Sequence, residues 1–419
     1  MTNEGQPSAS EVLETTSLAG HILLENGAEI ARVEETMDRI SSHYDIGPRN
    51  FFVLSNGIFT TGHDNFAKVE FIPFKGAQLE RVVAVNQVSR DICEGKYKSL
   101  GEANERLQQI RNTSKPRLEQ VLGSAIGSAG FCVIFGGSLI DAAASFVTGL
   151  LLWVFVLTVS APYMTKLVGN ILGGAFGTLL CILFHKIGFG GSLGNMIVGS
   201  LIPLIPGVPF INGIRDLANE DYIAGVTRLE DALLVFFSIA LGVTITFVAD
   251  SWIEGVMPLV NGNEPDALTS SLLCQGTAAF LGTLGFAVLF GVPRRHYLPS
   301  ALCATAGWIV YLLLSRFTDI GIGSSTFAAA LLVALLSRMM AVWLKAPETV
   351  FLIPGIFPMV PGGGIFWTAL YLVSARMHDA MLSGWLSLKV TIAIVLGIII
   401  IAQLPGSLFK KMASRKHNN

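Results

Sequence analysis

The most constraining feature of this chain is a repeat of its own sequence at a fixed distance. The ten residues Gly127–Gly136 return as Gly282–Gly291, 155 positions later, with six of the ten identical. The same offset relates Trp153 to Trp308. Because one register holds over so long a stretch, we interpret the chain as an internal duplication. Both copies are strongly apolar, and duplicated membrane bundles are how many secondary transporters are built.

Composition places most of the chain in a membrane. Of its 419 residues, 52% are hydrophobic and only 14% are charged, whereas soluble proteins carry about a quarter charged residues. Residues 1–117 hold 13 of the 28 Lys and Arg and 16 of the 30 Asp and Glu. The sequence therefore predicts a polar N-terminal domain followed by a membrane region. The net charge of −2 does not indicate a nucleic-acid partner.

The polar domain, residues 1–116, is predicted to be a small α+β domain. Apolar residues recur every three or four positions from Ala19 to Tyr44, with Asn26 as the only polar member, which indicates one long helix. Phe51–Thr60 is predicted to be a strand, and Ala67–Phe71 alternates as a half-buried strand should. Helical patterns follow at 79–93 and 100–111. No signal-peptide pattern opens the sequence, so we expect this domain in the cytoplasm.

Ten segments are apolar enough to cross a bilayer, which takes roughly 20 residues. They are 118–140, 142–160, 167–185, 192–211, 231–250, 270–291, 297–315, 321–343, 349–371 and 384–404. Five fall in a first repeat at 117–250 and five in a second at 270–405, with an outer linker at 251–269 and a basic tail at 406–419. We therefore predict an α-helical polytopic membrane protein with ten transmembrane helices.

The charges in the loops and the number of spans predict the topology. Lys and Arg are more frequent in the loops that are inside when the N-terminus is inside, which predicts both termini in the cytoplasm and an inner- or plasma-membrane location. Five spans per copy place the second copy upside down. The sequence therefore predicts two inverted five-helix repeats, an arrangement suited to alternating access.

The fourth predicted span of each copy is interrupted by proline and glycine. Proline removes a backbone donor and clashes with the preceding turn, and unpaired backbone must be buried in protein or line a wet cavity. We predict that the two breaks bind substrate; the alternative is that they are kinks for close helix packing. The candidate binding residues are Pro203, Pro206, Gly207, Pro209, Asn212, Asp216, Pro354, Gly355, Pro358, Pro361 and Gly362.

Polar residues near predicted helix ends are candidates for gating or coupling. They are Arg215, Arg228, Asp141, Asp250, Glu25 and Asn26. For Asp141 and Asp250 the alternative is a solvated boundary residue, and for Arg215 a helix end paired locally in water. For Asn26 the alternative is a buried polar contact that fixes helix register.

Motifs for other chemistry are weak or missing from the sequence. No Walker A pattern occurs, so coupling to an ion gradient, most simply of protons, is expected. Gly190–Gly194 fits G-x-S-x-G, but that pattern is meaningful only between a strand and a helix. The five cysteines stand alone and no H-E-x-x-H occurs. We expect no catalytic residue, metal or cofactor.

Several stretches resemble the threonine/serine exporter family. Leu24–Met37 resembles its opening signature, Val85–Asp91 its second soluble-domain signature, and Pro206–Gly213, with Asp216 and Arg228 beyond it, its broken-span motif. Pro354–Pro361 resembles the C-terminal half, so the chain is similar to a fused form of the two halves.

This resemblance implies ten spans, a cytoplasmic N-terminal domain and export of threonine and serine driven by the proton-motive force. Related two-component members are associated with dicarboxylate (succinate-type) export, so a dicarboxylate is a second candidate substrate. A non-transporting membrane sensor or scaffold is a different class of function, and a membrane hydrolase is a third. Beyond a small-molecule substrate, protons and membrane lipid, assembly into a homo-oligomer is left open.

Overall fold

The computed structural model describes residues 7–47, 50–62, 67–113, 116–254, 268–405 and 409. Most of the predicted linker at 251–269 and of the basic tail at 406–419 lies outside the described residues. The chain divides into two compact units. The first comprises residues 1–115, 208–229 and 290–293, and the second comprises 116–207, 230–289 and 294–419. The predicted polar domain is thus joined by two segments from the apolar part of the chain.

The N-terminal part of the first unit combines four helices with a three-stranded antiparallel sheet in the order β1-β2-β3. Its elements are α1 (Ala9–Glu25), α2 (Ile30–His43), β1 (Phe51–Leu54), β2 (Gly57–Thr61), β3 (Ala67–Phe71), α3 (Leu79–Cys93) and α4 (Leu100–Asn112). A capping box between Ser8 and Glu11 begins α1, and Ser99 caps α4. The two helices predicted at 79–93 and 100–111 are confirmed.

The single helix predicted from Ala19 to Tyr44 is wrong, because α1 ends at Glu25 and α2 begins at Ile30. Gly27, between them, has φ 86°, in the left-handed region that glycine adopts without strain. Both helices turn their apolar residues to the same core, so the three-to-four spacing continues across the turn. The strand predicted at Phe51–Thr60 is likewise a hairpin of β1 and β2.

Apolar and polar residues alternate along β3 as predicted, but the polar residues face the helices and the apolar residues face outward. Val69 and Phe71 are exposed, whereas Lys68 and Glu70 are half-buried on the side of the helices. The ammonium of Lys68 lies 2.7 Å from the carboxylate of Glu70. An ion pair therefore occupies the inner side of this strand, and the apolar side chains point outward.

The remaining helices follow in two series. The first is α5 (Arg117–Ile134), α6 (Leu139–Phe155), α7 (Ala161–Tyr163), α8 (Lys166–Lys186), α9 (Leu193–Leu201), α10 (Gly207–Ala218) and α11 (Tyr222–Glu254). The second is α12 (Leu272–Leu289), α13 (Tyr297–Phe317), α14 (Gly321–Trp343), α15 (Thr349–Ile356), α16 (Gly362–Val373) and α17 (Met377–Ala402). Three helices of the second series, α14, α16 and α17, begin 155 positions after α8, α10 and α11.

Seven helices of the described chain are long and apolar enough to cross a membrane. They are Leu139–Tyr163, Lys166–Lys186, Tyr222–Trp252, Leu272–Leu289, Arg294–Phe317, Gly321–Trp343 and Met377–Ala402. Two broken helix pairs raise the count to nine if each pair is one span. The predicted span at 118–140 corresponds to α5, which does not meet this criterion because it is rich in glycine and serine and starts with Arg117 and Glu119.

The first helices of the two series, α5 and α12, pack against each other through glycine. A Cβ atom on Gly130 would lie 2.7 Å from Cα of Gly282, and one on Gly285 would lie 2.5 Å from the amide nitrogen of Gly127. Gly282 is the counterpart of Gly127, and Gly285 is the counterpart of Gly130, each 155 positions later. The two copies therefore supply corresponding glycines to the same contact, which makes it reciprocal. Gly123, earlier in α5, contacts Gly285, so the two helices run antiparallel.

A pair of corresponding residues lies at the centre of this contact. Phe131 and its counterpart Phe286 pack edge to face, with ring centroids 5.0 Å apart. Each copy therefore supplies the corresponding phenylalanine to the contact between α5 and α12.

Candidate functional site

Both predicted breaks are present. In the second, α15 passes into a 3-10 turn at Phe357–Met359 and α16 starts at Gly362, with a bend of 51° between the two parts. In the first, α9 passes into a 3-10 turn at Ile202–Leu204 and α10 starts at Gly207. Proline within each turn prevents the regular helix from continuing.

The two breaks contact each other through glycines that are counterparts in the repeat. A Cβ atom on Gly207 would lie 2.1 Å from the ring of Phe357, and one on Gly362 would lie 2.9 Å from Cδ1 of Ile205. Only glycine permits so close an approach at both positions. Residues of the two breaks therefore pack directly against each other in the interior of the second unit.

A cavity of about 470 Å³ lies beside the second break. Pro358, Pro361 and Gly364 line it from the break. Apolar side chains such as Leu312, Met359 and Leu386 form part of the wall, and the polar and aromatic lining side chains include Gln275, Trp308, Tyr311, Arg316, Thr326, Ser383 and Ser387. Its volume is in the range of small-molecule sites.

Hydrogen bonds hold the wall of this cavity in place. Trp308 Nε1 donates to Gln275 Oε1 at 3.0 Å, and Gln275 Nε2 donates to the carbonyl oxygens of Val133 and Thr269 at 2.9 Å each. Both N–H groups of the Gln275 amide are thus bonded to backbone carbonyls, and this fixes its Oε1 toward Trp308. Trp308 in turn stacks on Tyr311, with ring centroids 5.0 Å apart.

The electrostatics of the cavity are simple. Among the described residues that line it, Arg316 is the only one with a charged side chain. The N-terminal end of α16 also borders the cavity through Pro361 and Gly364, and helix N-termini attract anions. The stacked rings of Trp308 and Tyr311 form an aromatic part of the cavity wall. The cavity therefore combines one basic side chain, a helix N-terminus and two aromatic rings.

The other predicted binding residues of the breaks do not line this cavity. Pro354 and Gly355 are buried within α15, where a Cβ on Gly355 would meet Val333. Pro206 and Gly207 are buried, and Pro203 and Pro209 are half-buried.

Asn212 and Asp216 of α10 bind the turn between α1 and α2. Asn212 is 1% exposed and its Nδ2 donates to the carbonyl oxygen of Gly27 at 2.7 Å. The fully buried Asp216 accepts from the backbone N–H of Ile30 at 3.1 Å and from Arg228 Nη1 at 2.7 Å. Arg228 Nη2 also donates to the carbonyl oxygen of Ala28 at 2.9 Å.

Arg215 is the second basic residue of this network. Its Nη1 lies 2.7 Å from Oε2 of the buried Glu29, whose Oε1 accepts from Arg32 Nε at 3.2 Å. Burial by itself raises the pKa of Glu29, but the guanidinium groups of Arg215 and Arg32 outweigh burial and hold that pKa below its ordinary value. Glu29 is therefore a carboxylate at neutral pH. We call Gly27, Ala28, Glu29, Asn212, Arg215, Asp216 and Arg228 the turn network.

Glu25 and Asn26 lie at the edge of the turn network. The carboxylate of Glu25 pairs with the ammonium of Lys75 at 2.5 Å. Asn26 Nδ2 donates to the carbonyl oxygen of Ile22 at 2.7 Å, and its Oδ1 accepts from Arg81 Nη1 at 3.1 Å. Asn26 thus makes a buried polar contact at the end of α1.

The two aspartates predicted near outer helix ends have different surroundings. Asp141 is buried, so its description as a solvated residue is wrong: it closes a capping box with Ser138 and accepts from the N–H groups of Gly191 and Ser192 at 2.7 and 3.1 Å. Asp250 is half-buried and pairs with Lys186. Both aspartates thus have protein partners.

The G-x-S-x-G stretch does not have the context that a nucleophile requires. Ser192 lies in the loop between α8 and α9, two helices, whereas the motif needs a strand before the serine. No group of three His, Cys, Asp or Glu is placed to hold a metal ion among the residues described.

Sequence reasoning missed several of these residues. Glu29 was not among the site candidates, because its partner Arg215 lies on a distant segment. The repeat could have identified Gln275, because the residue 155 positions earlier, Gln120, is also a glutamine.

The seven long apolar helices in the described part of the chain define a multi-pass membrane protein. The chain belongs to the threonine/serine exporter family: the family model described as "Putative threonine/serine exporter" matches residues 14–249, and that described as "Threonine/Serine exporter, ThrE" matches residues 275–404. Members of this family are transporters and not enzymes. The two matches together cover both halves that the sequence predicted.

Two curated proteins are similar to this chain. A "Probable threonine/serine exporter" of Mycobacterium tuberculosis is 22% identical over 377 residues, which are 85% of this chain and 69% of that protein. An uncharacterised protein of Schizosaccharomyces pombe is 22% identical over 304 residues, which are 68% of this chain. The match spans only 35% of the length of the yeast protein. No solved structure matches the chain.

Proposed function

We propose that this protein is a secondary active exporter of small polar amino acids, threonine and serine first, and that the cavity beside the second break holds the substrate. The observation that carries the proposal is the cavity itself. It combines the N-terminal end of α16, one arginine and two stacked aromatic rings in a member of an exporter family.

The charge of the cavity favours an amino acid over a dicarboxylate. One carboxylate is met by Arg316 and the start of α16, whereas a second carboxylate would face Trp308 and Tyr311, whose ring faces carry negative potential. An ammonium group over those faces is attracted instead. Purified protein in liposomes tests this choice: we expect saturable flux of labelled threonine and serine and little flux of succinate. Threonine binding without flux would instead indicate a sensor.

The alternating-access part of the proposal depends on inverted repeats. The antiparallel, reciprocal packing of α5 on α12 supports them, as does the contact of Phe131 with Phe286. Ser270, Arg316 and Ser383 border the cavity at helix ends that the charge bias assigns to the outside. We therefore assign the structure to the outward-facing state.

One hydrogen bond distinguishes the two copies. Trp308 is bonded to Gln275, whereas the Nε1 of its counterpart Trp153 is buried without a partner among the described residues. We propose that the inward-facing state forms the bond between Trp153 and Gln120 and breaks the one between Trp308 and Gln275.

Labelling of the cavity tests this exchange. With Ser383→Cys as the only reactive thiol, Trp153→Phe is expected to increase labelling from outside, since it removes the donor used in the inward-facing state. Trp308→Phe is expected to decrease labelling, and Trp343→Phe serves as the control. A buried hydrogen bond contributes about 1 kcal/mol, so each shift is roughly fivefold. Equal labelling rates in all three variants would contradict the exchange.

Gln275→Ala probes the cavity wall. The substitution leaves Trp308 Nε1 without its acceptor. An unsatisfied buried donor costs about 1–3 kcal/mol, so we expect the cavity wall to be destabilised by that amount. Threonine flux is expected to fall roughly tenfold or more as a result. Flux at several threonine concentrations measures it, with Gln109→Ala on the exposed face of α4 as a matched control. Unchanged flux would remove Gln275 and Trp308 from the substrate site.

Proton coupling is proposed from the absence of an ATP motif and from the family. Among its described lining residues the cavity contains no Asp, Glu or His to carry a proton. The candidates for coupling and gating are therefore the residues of the turn network together with Glu25, Asn26, Asp141 and Asp250. Flux measured with a pH gradient, and again after nigericin collapses it, tests the driving ion.

A further inference from the structure

The outward side of the small sheet in the first unit is apolar and uncovered. Cross-strand pairing puts Phe52 beside Phe59, and Phe59 beside Val69. Phe71 lies two residues beyond Val69 on the same side. Val69 and Phe71 are 68% and 74% exposed, and Phe52 and Phe59 are also exposed. We call these four residues the aromatic face.

The reversed alternation of β3 produces this face. Its charged residues, Lys68 and Glu70, point toward the helices, where they pair with each other and Glu70 lies 3.8 Å from His21. The inner side of β2 is occupied by Ile58 and Thr60, and the Thr60 hydroxyl lies 2.9 Å from that of Ser17 in α1. The sheet therefore already has a packed inner side, and the aromatic face is a second apolar side.

The size of the aromatic face is that of a functional patch. Three partly exposed phenylalanines and one valine present roughly 400–450 Å² of apolar surface, if a phenylalanine has about 200 Å² and a valine about 150 Å². Patches of this size on a folded domain usually mark an interaction site.

The charge of the face indicates which partner covers it. The eight outward positions of the three strands are Phe52, Leu54, Gly57, Phe59, Thr61, Ala67, Val69 and Phe71, and none of them is charged. Surfaces that dock on an anionic membrane combine apolar residues with Lys and Arg. A neutral sheet face is instead complementary to an identical neutral face, as in sheet-on-sheet packing.

We propose that the aromatic face is the contact between two copies of this chain, which pair through their sheets across a two-fold axis. In such a contact each copy supplies the same residues. Confinement of both copies to one membrane raises their effective concentration, so this contact needs less buried area than a dimer of freely diffusing proteins. This proposal does not depend on what the protein transports.

The oligomeric state of the full-length protein in nanodiscs tests the proposal. We expect a dimer for the wild type and a monomer for Val69→Glu and for Val69→Lys, because like charges would then face each other in the contact. The dissociation constant is expected to rise by about 100-fold or more in each variant. Gln108→Glu, at an exposed position of α4, is the matched control and is expected to stay dimeric.

A mixture of the two charged variants separates loss of pairing from loss of folding. A glutamate on one copy that faces a lysine on the other is attractive, so equal amounts of Val69→Glu and Val69→Lys are expected to recover dimers that neither variant forms alone. A monomeric wild type, or a Val69→Glu variant that remains fully dimeric, would overturn the proposal. Additional quenching by brominated lipid in Phe59→Trp, relative to the wild type with its six native tryptophans, would also overturn it, because the bilayer would then cover the face.

Discussion

Asp216→Ala is expected to destabilise the protein by about 3–5 kcal/mol, the cost of leaving a buried charge without its partner. Arg228 would lose the carboxylate 2.7 Å from its Nη1, and the backbone N–H of Ile30 would lose its acceptor. Since Asp216 is fully buried, little water replaces either bond. Denaturation of the detergent-solubilised protein followed by circular dichroism measures the change.

A surface aspartate supplies the matched control. Asp231 pairs with Lys166, and both side chains are largely exposed. Exposed pairs contribute about 0–1 kcal/mol, so Asp231→Ala is expected to leave the unfolding midpoint nearly unchanged. The double variant Asp216→Asn with Arg228→Gln should recover part of the loss, because no charge is then left unpaired. If Asp216→Ala and Asp231→Ala lowered the stability by the same small amount, the contacts of the turn network with the turn between α1 and α2 would not stabilise the protein.

Gly130→Ala is expected to destabilise the packing of α5 on α12 by about 1–3 kcal/mol, the usual cost of overpacking. The added Cβ would lie 2.7 Å from Gly282 and 2.8 Å from the carbonyl oxygen of Ala278. Both neighbours are backbone atoms, so the helices themselves must separate. Its counterpart Gly285→Ala meets backbone of Gly123 and Gly127 at 2.5 Å. We therefore expect the two substitutions to cost similar amounts.

Gly323→Ala in α14 is the control for this pair. A Cβ there would meet nothing within 4 Å. Alanine loses less backbone freedom on folding than glycine, so this substitution is expected to be neutral or to stabilise by about 0.5–1 kcal/mol. The same denaturation experiment compares the three variants. If Gly130→Ala proved as harmless as Gly323→Ala, the close approach of α5 and α12 would be wrong.

The interruption of both broken spans was predictable from local chemistry. Pro203 and Pro358 stand in the middle of a predicted span, where a residue without a backbone donor interrupts the regular helix. The duplication was also readable, since Gly207 and Gly362 follow the prolines at one offset. In contrast, the turn at Gly27 was not found, because the apolar residues of α1 and α2 keep one spacing across it.

The sequence also did not predict which side of β3 faces the helices. Alternation identifies a strand but does not say which side meets the core. Lys68 and Glu70 are accommodated inside only because they pair with each other beside His21. That pairing depends on a helix and a strand that are far apart in sequence.

The partners of Asn212, Asp216, Arg215 and Arg228 show the same limit. Their polarity in an apolar region marked them as candidates, but nothing local indicates that they bind Gly27, Ala28, Glu29 and Ile30, almost two hundred positions away. Trp308 and Gln275 likewise meet only when α12 and α13 pack.

The sequence by itself determined that the chain is an apolar duplication with a polar first quarter and a proline break in each copy. Hydropathy, repeat spacing and the missing proline donor are local properties, and each can be read from one segment at a time. Only the tertiary structure decided which polar groups meet, which side of the sheet is covered and where a cavity lies. Those outcomes depend on distances between segments that are remote along the chain, because burial and pairing are set by the packing of whole helices.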